Sequence, residues 1–385
     1  MSQTKTPRSI FEDVSQGGAP AAHQPVGGVI DRGRGGARRA IRAWLMVLFV
    51  LVVAMVAVGG LTRLTGSGLS ITEWRPVTGA IPPLSTADWQ AEFEKYQQIP
   101  QFTYDNPDMT LTGFQFIYWW EWSHRQLGRL VGVIWALGFV GFLAARKIPA
   151  GWTGRLIWIG ALGGLQGAIG WWMVASGLGE GMTRVASYRL AVHLGLAFVI
   201  LGYIAWYVNL LGRPEPALLK ARRERDPRRF GLATGMMHLA FVQILLGALV
   251  AGIDAGRSFA DWPLMAGQIL PASAFDAQPL WRNFFENPAL VQFIHRMVGY
   301  LLFVFGIVTW LRGRKSAHLA TARAFDWMMV VLFGQVVLGI GTVLYGAPWQ
   351  IAIVHQLGAV ALWVLIIRAR FLAQYPLAQS VRGTA

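Results

Sequence analysis

Eight apolar runs dominate the chain, each long enough to cross a hydrocarbon core of about 30 Å as a helix of about 20 residues. They lie near residues 43–62, 124–145, 155–174, 190–211, 232–253, 290–311, 326–345 and 351–367. The polar segments between them follow a coarser pattern. Of the 34 Lys and Arg, 24 fall in the N-terminal tail, the second, fourth and sixth connections, and the C-terminal tail. The connection RPEPALLKARRERDPRR alone holds seven. The alternate connections carry most of the acids, among them Glu73, Glu92, Asp105, Glu180, Asp254 and Glu286. Basic loops stay on the cytoplasmic side, so both termini are expected there and the acidic loops outside.

The runs also repeat. TEWRPVTGAIPP (72–83) follows the first run and ADWPLMAGQILP (260–271) the fifth; they share an acid–Trp pair, a Gly five residues after the Trp and a closing Pro. His124-Arg125 with Gly128 in the second run matches His295-Arg296 with Gly299 in the sixth. His193 with Ala197 in the fourth matches His355 with Ala359 in the eighth. Gln and Gly four apart recur as Gln166–Gly170, Gln243–Gly247 and Gln335–Gly339. An even number of spans per half gives both halves one orientation. The expected fold is therefore an all-α integral membrane protein, with eight transmembrane helices in two pseudo-symmetric four-helix bundles related by a parallel internal repeat. Its expected parts are a disordered cytoplasmic tail (1–42), an N-terminal bundle (43–211), a basic cytoplasmic linker (212–231), a C-terminal bundle (232–370) and a cytoplasmic tail (371–385).

Composition narrows the chemistry. The 385 residues are 54% hydrophobic and 14% charged, which fits a multi-span membrane protein. Cysteine is absent, excluding disulfides, thiolate metal sites, iron–sulfur clusters and covalent c-type haem attachment. The net charge of +15 follows the loop pattern, so it reflects topology and not a nucleic-acid partner.

Seven histidines occur; His23, His238 and His318 have no partner in the repeat. The other four all lie on outside-to-inside spans, roughly 20 to 33 Å from the first basic residue at the inner end, hence in the outer part of the membrane. Polar side chains in membranes often join neighbouring helices, and each histidine has that reading. Four at equivalent positions point further, because intramembrane ionisable groups are costly and mark function. A small residue one turn deeper on the same face (Gly128, Ala197, Gly299, Ala359) leaves room for a flat macrocycle. Together these favour two haems, each between paired histidines inside one bundle. Arg125, Arg129, Arg189 and Arg296 stand at the level of the haem propionates, although each can also snorkel to the interface.

The halves differ in two ways. Glu121, three residues before His124, is replaced by Gln292 in the second half. The first outer loop (about 63–112) is longer than its counterpart (about 254–289). A carboxyl group one turn from a haem ligand, under a lid, suggests chemistry in the first bundle and a fixed haem in the second. Glu121 also has a plainer reading as an i,i+4 partner of Arg125.

The runs GGLTRLTGSGLSITEWRPVTGAIPP (59–83) and MTLTGFQFIYWWEWSHRQLGRLVG (109–132) resemble the haem A synthase family, and the resemblance extends over roughly 43–370. It implies oxidation of the C8 methyl group of haem O to a formyl group, yielding haem A for terminal cytochrome oxidases. It further implies haem b on His295 and His355, substrate haem near His124 and His193, and Glu121 at the position of a carboxylate associated with catalysis. Some members carry an outer-loop cysteine pair; this chain resembles the cysteine-free branch. Implied partners are haem O synthase, a quinol or ferredoxin-like electron donor and further copies of the chain, in a bacterial inner membrane with haem sites toward the periplasm. Two other readings fit part of the pattern: a di-haem b-type cytochrome oxidising quinol, and a parallel-repeat transporter.

Overall fold

A computed structural model describes residues 34–179 and 181–379. The expected tail 1–33, Glu180 and the last residues of the C-terminal tail (380–385) lie outside the described residues. Among the described residues, eight helices are long and apolar enough to cross a membrane. They are α1 (Arg34–Leu64), α2 (Leu111–Ala144), α3 (Thr153–Gly177), α4 (Ser187–Leu211), α5 (Pro227–Gly252), α6 (Pro288–Gly313), α7 (Leu319–Leu344) and α8 (Trp349–Gln374).

The helices overrun the apolar runs because local capping, and not hydropathy, fixes their ends. α2 starts at Leu111, where the Thr110 side chain accepts from Gly113 N. His124 therefore sits well inside a 34-residue helix, not near its start. α5 begins with Pro227 behind Asp226, whose side chain accepts from Arg229 N, so the expected linker 212–231 is partly helical. That linker also holds a short helix, Glu215–Arg223. α6 begins with Pro288 behind Asn287, which caps Ala289 N and Leu290 N. Pro at the first helical position gives up only an N–H that has no intrahelical partner. α1 reaches back to Arg34, so residues 34–42, expected in the tail, are helical. α8 continues to Gln374, past the expected boundary at 370. At the end of α1, Gly66 takes φ 69° and Ser67 N closes on Thr62 O at 2.8 Å, a left-handed cap that glycine adopts without strain.

The helices pack in two rings in chain order. α1 touches α2, α2 touches α3, α3 touches α4 and α4 returns to α1; α5 to α8 close in the same way. The rings meet through α4 with α5, α4 with α8, and α1 with α8. Apolar core fills the inner part of each ring, from Ile41, Leu45, Leu156 and Leu201 in one to Met236, Phe325, Met328 and Ile366 in the other. Hydrogen bonds between the rings satisfy the polar groups that hydrocarbon would not solvate. The Trp363 indole donates to Phe198 O at 2.9 Å, Gln356 Nε2 to Val56 O at 2.7 Å and Ser187 Oγ to Phe285 O at 2.6 Å.

The first outer connection is a folded cap. Helix Thr86–Gln97 opens with a capping box between Ser85 and Asp88, whose hydrogen bonds hold the Asp88 carboxyl below the usual range. Phe93, Tyr96 and Ile99 pack on Phe114 and Tyr118 of α2. Burial pushes the Tyr96 phenol up to about 12, and its hydroxyl accepts from Asn106 at 2.8 Å.

Trp363→Phe removes the N–H that joins α8 to α4, together with the pyrrole part of the buried indole. Its expected cost is about 1 kcal/mol, read as a lower midpoint in an SDS unfolding titration. An unchanged midpoint contradicts a bonding role for the indole.

Candidate active site

The outer halves of the two rings enclose a cavity of about 1100 Å³, beyond the usual range of about 300–1,000 Å³ for a single small-ligand pocket. All four repeat histidines line it, as do the small residues one turn deeper, Gly128, Ala197, Gly299 and Ala359. His124 and His193 belong to the first ring, His295 and His355 to the second. Each imidazole keeps accessible surface although it lies deep in its bundle, because it faces the cavity.

Each ring also rests on a glycine of the preceding helix. A Cβ would come within 2.9 Å of His124 at Gly59, 3.0 Å of His193 at Gly170, 3.2 Å of His295 at Gly247 and 3.3 Å of His355 at Gly339. Three of these glycines belong to the Gln-x-x-x-Gly repeat. Gly59 escapes that pattern because Met55 stands where the glutamine would be, and only the register with Gly247 could have revealed it. Two of the glutamines reach the same histidines. Gln166 Nε2 donates to His193 O and Gln243 Nε2 to His295 O, both at 3.0 Å. That bond fixes the helical segment carrying each of these two imidazoles.

The donor set fits haem. Each pair offers two imidazoles, and among the described residues no group of three or more His, Asp and Glu could hold a bare metal ion. A porphyrin supplies the remaining coordination positions. Nδ1 of His295 and of His355 is buried without a hydrogen-bond partner, as are Oε1 of Gln166 and of Gln243. The glycines supply flat walls that a Cβ would fill.

Glu121 is buried at 3% exposure, and both its oxygens are engaged. Oε1 accepts from Arg125 Nε at 3.0 Å and Nη2 at 2.5 Å; Oε2 accepts from Ser70 Oγ and Ile71 N, both at 2.8 Å. Arg125 in turn donates to Ile71 O at 2.7 Å and Glu73 O at 2.9 Å. The pair therefore clamps segment 70–73 onto α2. Gln292 and Arg296 make the counterpart with an amide in place of the carboxylate: Gln292 donates to Ala255 O at 2.9 Å, and Arg296 to Leu264 O at 3.0 Å and Phe259 O at 3.2 Å. The plainer reading of Glu121 as a partner of Arg125 thus describes its contacts, with a loop anchored besides.

The four arginines expected near propionates are placed differently from one another. Arg125, Arg129 and Arg296 line the cavity, yet each is engaged with outer-loop carbonyls; Arg129 donates to Pro76 O at 2.8 Å and Arg75 O at 2.9 Å. Arg189 lies outside the cavity wall, over the Trp172 ring at 4.5 Å. Sequence reasoning missed Arg63, Arg184 and Arg257, which line the cavity where the rings meet. Arg63 pairs with Asp254 at 3.0 Å, and Arg184 binds the same carboxylate. No repeat marks them, because they come from the end of α1 and two connections that only the fold brings together. His238 and His318 lie outside the cavity wall, and His23 lies outside the described residues.

Removing Glu121 leaves Arg125 without its buried counter-charge and frees Ser70 and Ile71 N. Glu121→Ala is expected to cost about 3 kcal/mol or more, with hydrogen exchange rising first at residues 70–73. Unchanged protection there contradicts the clamp.

Comparison with known proteins agrees with this architecture. The chain is 70% identical over 378 residues to a heme A synthase of Ruegeria pomeroyi, covering 98% of this chain and 99% of the relative. It is 65% identical over 380 residues to the heme A synthase of Dinoroseobacter shibae, covering 98% of each. Against that of Paracoccus denitrificans it is 64% identical over 377 residues, covering 98% of this chain and 99% of the relative. The profile of the family described as cytochrome oxidase assembly protein (COX15-CtaA) matches residues 42–367, spanning the eight long helices but for the first residues of α1 and the last of α8, and the chain belongs to that family.

Proposed function

We propose that this chain is a membrane-embedded haem A synthase, an oxidoreductase that converts the C8 methyl group of haem O to a formyl group for terminal oxidase assembly. The observation that carries this reading is one apolar cavity lined by two histidine pairs, in a chain alike from end to end to proteins of that name. The parallel repeat supports a division of labour between the rings. His295 and His355 would hold a haem b, which would supply one-electron redox chemistry. His124 and His193 receive the substrate.

The protein's own contribution is placement. The glycine beside each imidazole admits a flat ring, and the glutamine bond holds the ligand's helix in register. Glu121 acts as a positioning residue: through Arg125, Ser70 and Ile71 it keeps segment 70–73 seated at the cavity's edge and limits water at the reacting methyl group. The aromatic cap on α2 covers the same end. The loop charges support cytoplasmic termini and haem sites toward the periplasm in a bacterial inner membrane. A haem on His295 and His355 would relay electrons from a donor of quinol or ferredoxin type, and haem O synthase would supply the substrate.

The test is acid–acetone extraction and chromatography of haems from protein co-expressed with a haem O supply. Wild type is expected to yield haem b with haem A, and His355→Ala to lose haem b and conversion together. Haem b alone from wild type, with no conversion, contradicts the reading and leaves a di-haem electron carrier.

A further inference from the structure

The cavity is not equally deep in the two rings. In the first it extends inward to Leu48, Trp135, Gly160 and Ile204. Setting Gly59 on Gly247, His124 on His295, Gln166 on Gln335 and His193 on His355 gives Met236, Gly306, Met329 and Ile366 as the counterparts. None of these four lines the cavity.

The difference comes from α3. Gly160, Gly163, Gly164 and Gly167 stand where α7 has Met329, Leu332, Phe333 and Val336. A Cβ at Gly163, Gly164 or Gly167 would meet nothing within 4 Å. The steric partners are exchanged as well. A Cβ on Gly160 would run into the Trp135 indole, which closes the floor of the first cavity. A Cβ on Gly306, the counterpart of Trp135, would run into Leu332, itself buried at 2% exposure. Thus the second ring fills from α7 the space that the first leaves open along α3. α2 and α3 are also the least closely packed neighbours in either ring.

The open row runs inward from the His193 ring. Gly170 touches that ring, and Gly160 lies roughly 15 Å further along α3 at 1.5 Å per residue. His124 lines the same cavity, and its side chain makes no hydrogen bond among the described residues.

We propose that this glycine-lined extension of the first cavity, from Gly167 to the Trp135 floor, is the subsite for the isoprenoid tail of the substrate haem. The inference rests on the haem A synthase reading and adds a basis for selectivity. Haem O carries a long isoprenoid tail and haem b does not, so the open row takes the tailed ligand into the first ring, and the filled row keeps it out of the second. The apolar walls bury the tail while the histidines hold the iron.

The test uses full-length protein expressed without a haem O supply, retaining its haem b, and titrated by Soret difference spectra with haem O and, separately, with tail-less iron protoporphyrin IX. The double variant Gly163→Leu/Gly167→Leu narrows the row at two positions where the backbone leaves space, and its haem b content reports folding. Overpacking is expected to weaken haem O binding roughly tenfold or more, with protoporphyrin binding changed less than about twofold. Gly163→Ala, adding one methyl group, is expected to give a smaller loss of the same sign. Unchanged haem O affinity in both variants overturns the proposal, as does an equal loss for both ligands, which would assign the row to the ring and not the tail. Wild type that binds no haem O at all overturns the underlying reading instead.

Discussion

An imidazole resting on bare glycine backbone is the contact on which the outer half of this molecule depends. It occurs four times, always between a histidine and the helix before it in the ring. Any side chain on those glycines would have to displace the ring that faces the cavity. The contact therefore sets the distance between neighbouring helices and the direction of each ligand together. In hydrocarbon, where apolar burial does not distinguish a neighbouring helix from lipid, such close approach is what associates helices. In the inner half the same device seats larger apolar side chains, Phe325 on Gly313, Trp44 on Gly138 and Trp135 on Gly160.

A second constraint acts at the outer rim. Irregular backbone there must find partners, and the i,i+4 pairs on α2 and α6 supply them. Arg125 and Arg296 each grip carbonyls of the outer connection, backed by Glu121 in one ring and Gln292 in the other. The carboxylate binds an additional backbone N–H and a serine, so the first segment is held from both polarities of its backbone. The same replacement of small by large residues that separates Gly163 from Leu332 separates an open ring from a filled one. Rim and depth thus diverge between the halves while the histidine seats stay alike.

Much of this was legible in the sequence because it is periodic. Eight apolar runs gave the helices, and the spacing of His, Gln and Gly gave the cavity-facing positions. The starts of α2 and α5 were not legible from hydropathy, since Thr110 and Asp226 fix them by capping within polar sequence. The contacts of Glu121 were hidden for another reason: Ser70 and Ile71 lie some fifty residues away in an irregular segment with no pattern to align. Arg184 and Arg257 share that difficulty. Arg189 looked well placed beside His193 on one helix face, but stacking on Trp172 turns it off the cavity.

The central claim is that each ring holds its own pair of histidines to a haem iron. Low-temperature EPR of purified protein carrying only the haem of the second ring tests it most directly. The account predicts a low-spin ferric signal of two imidazole ligands, abolished by His295→Ala and by His355→Ala, and unchanged by His124→Ala and His193→Ala. A signal that survives loss of His295 and His355, or that vanishes with His124 or His193, contradicts it.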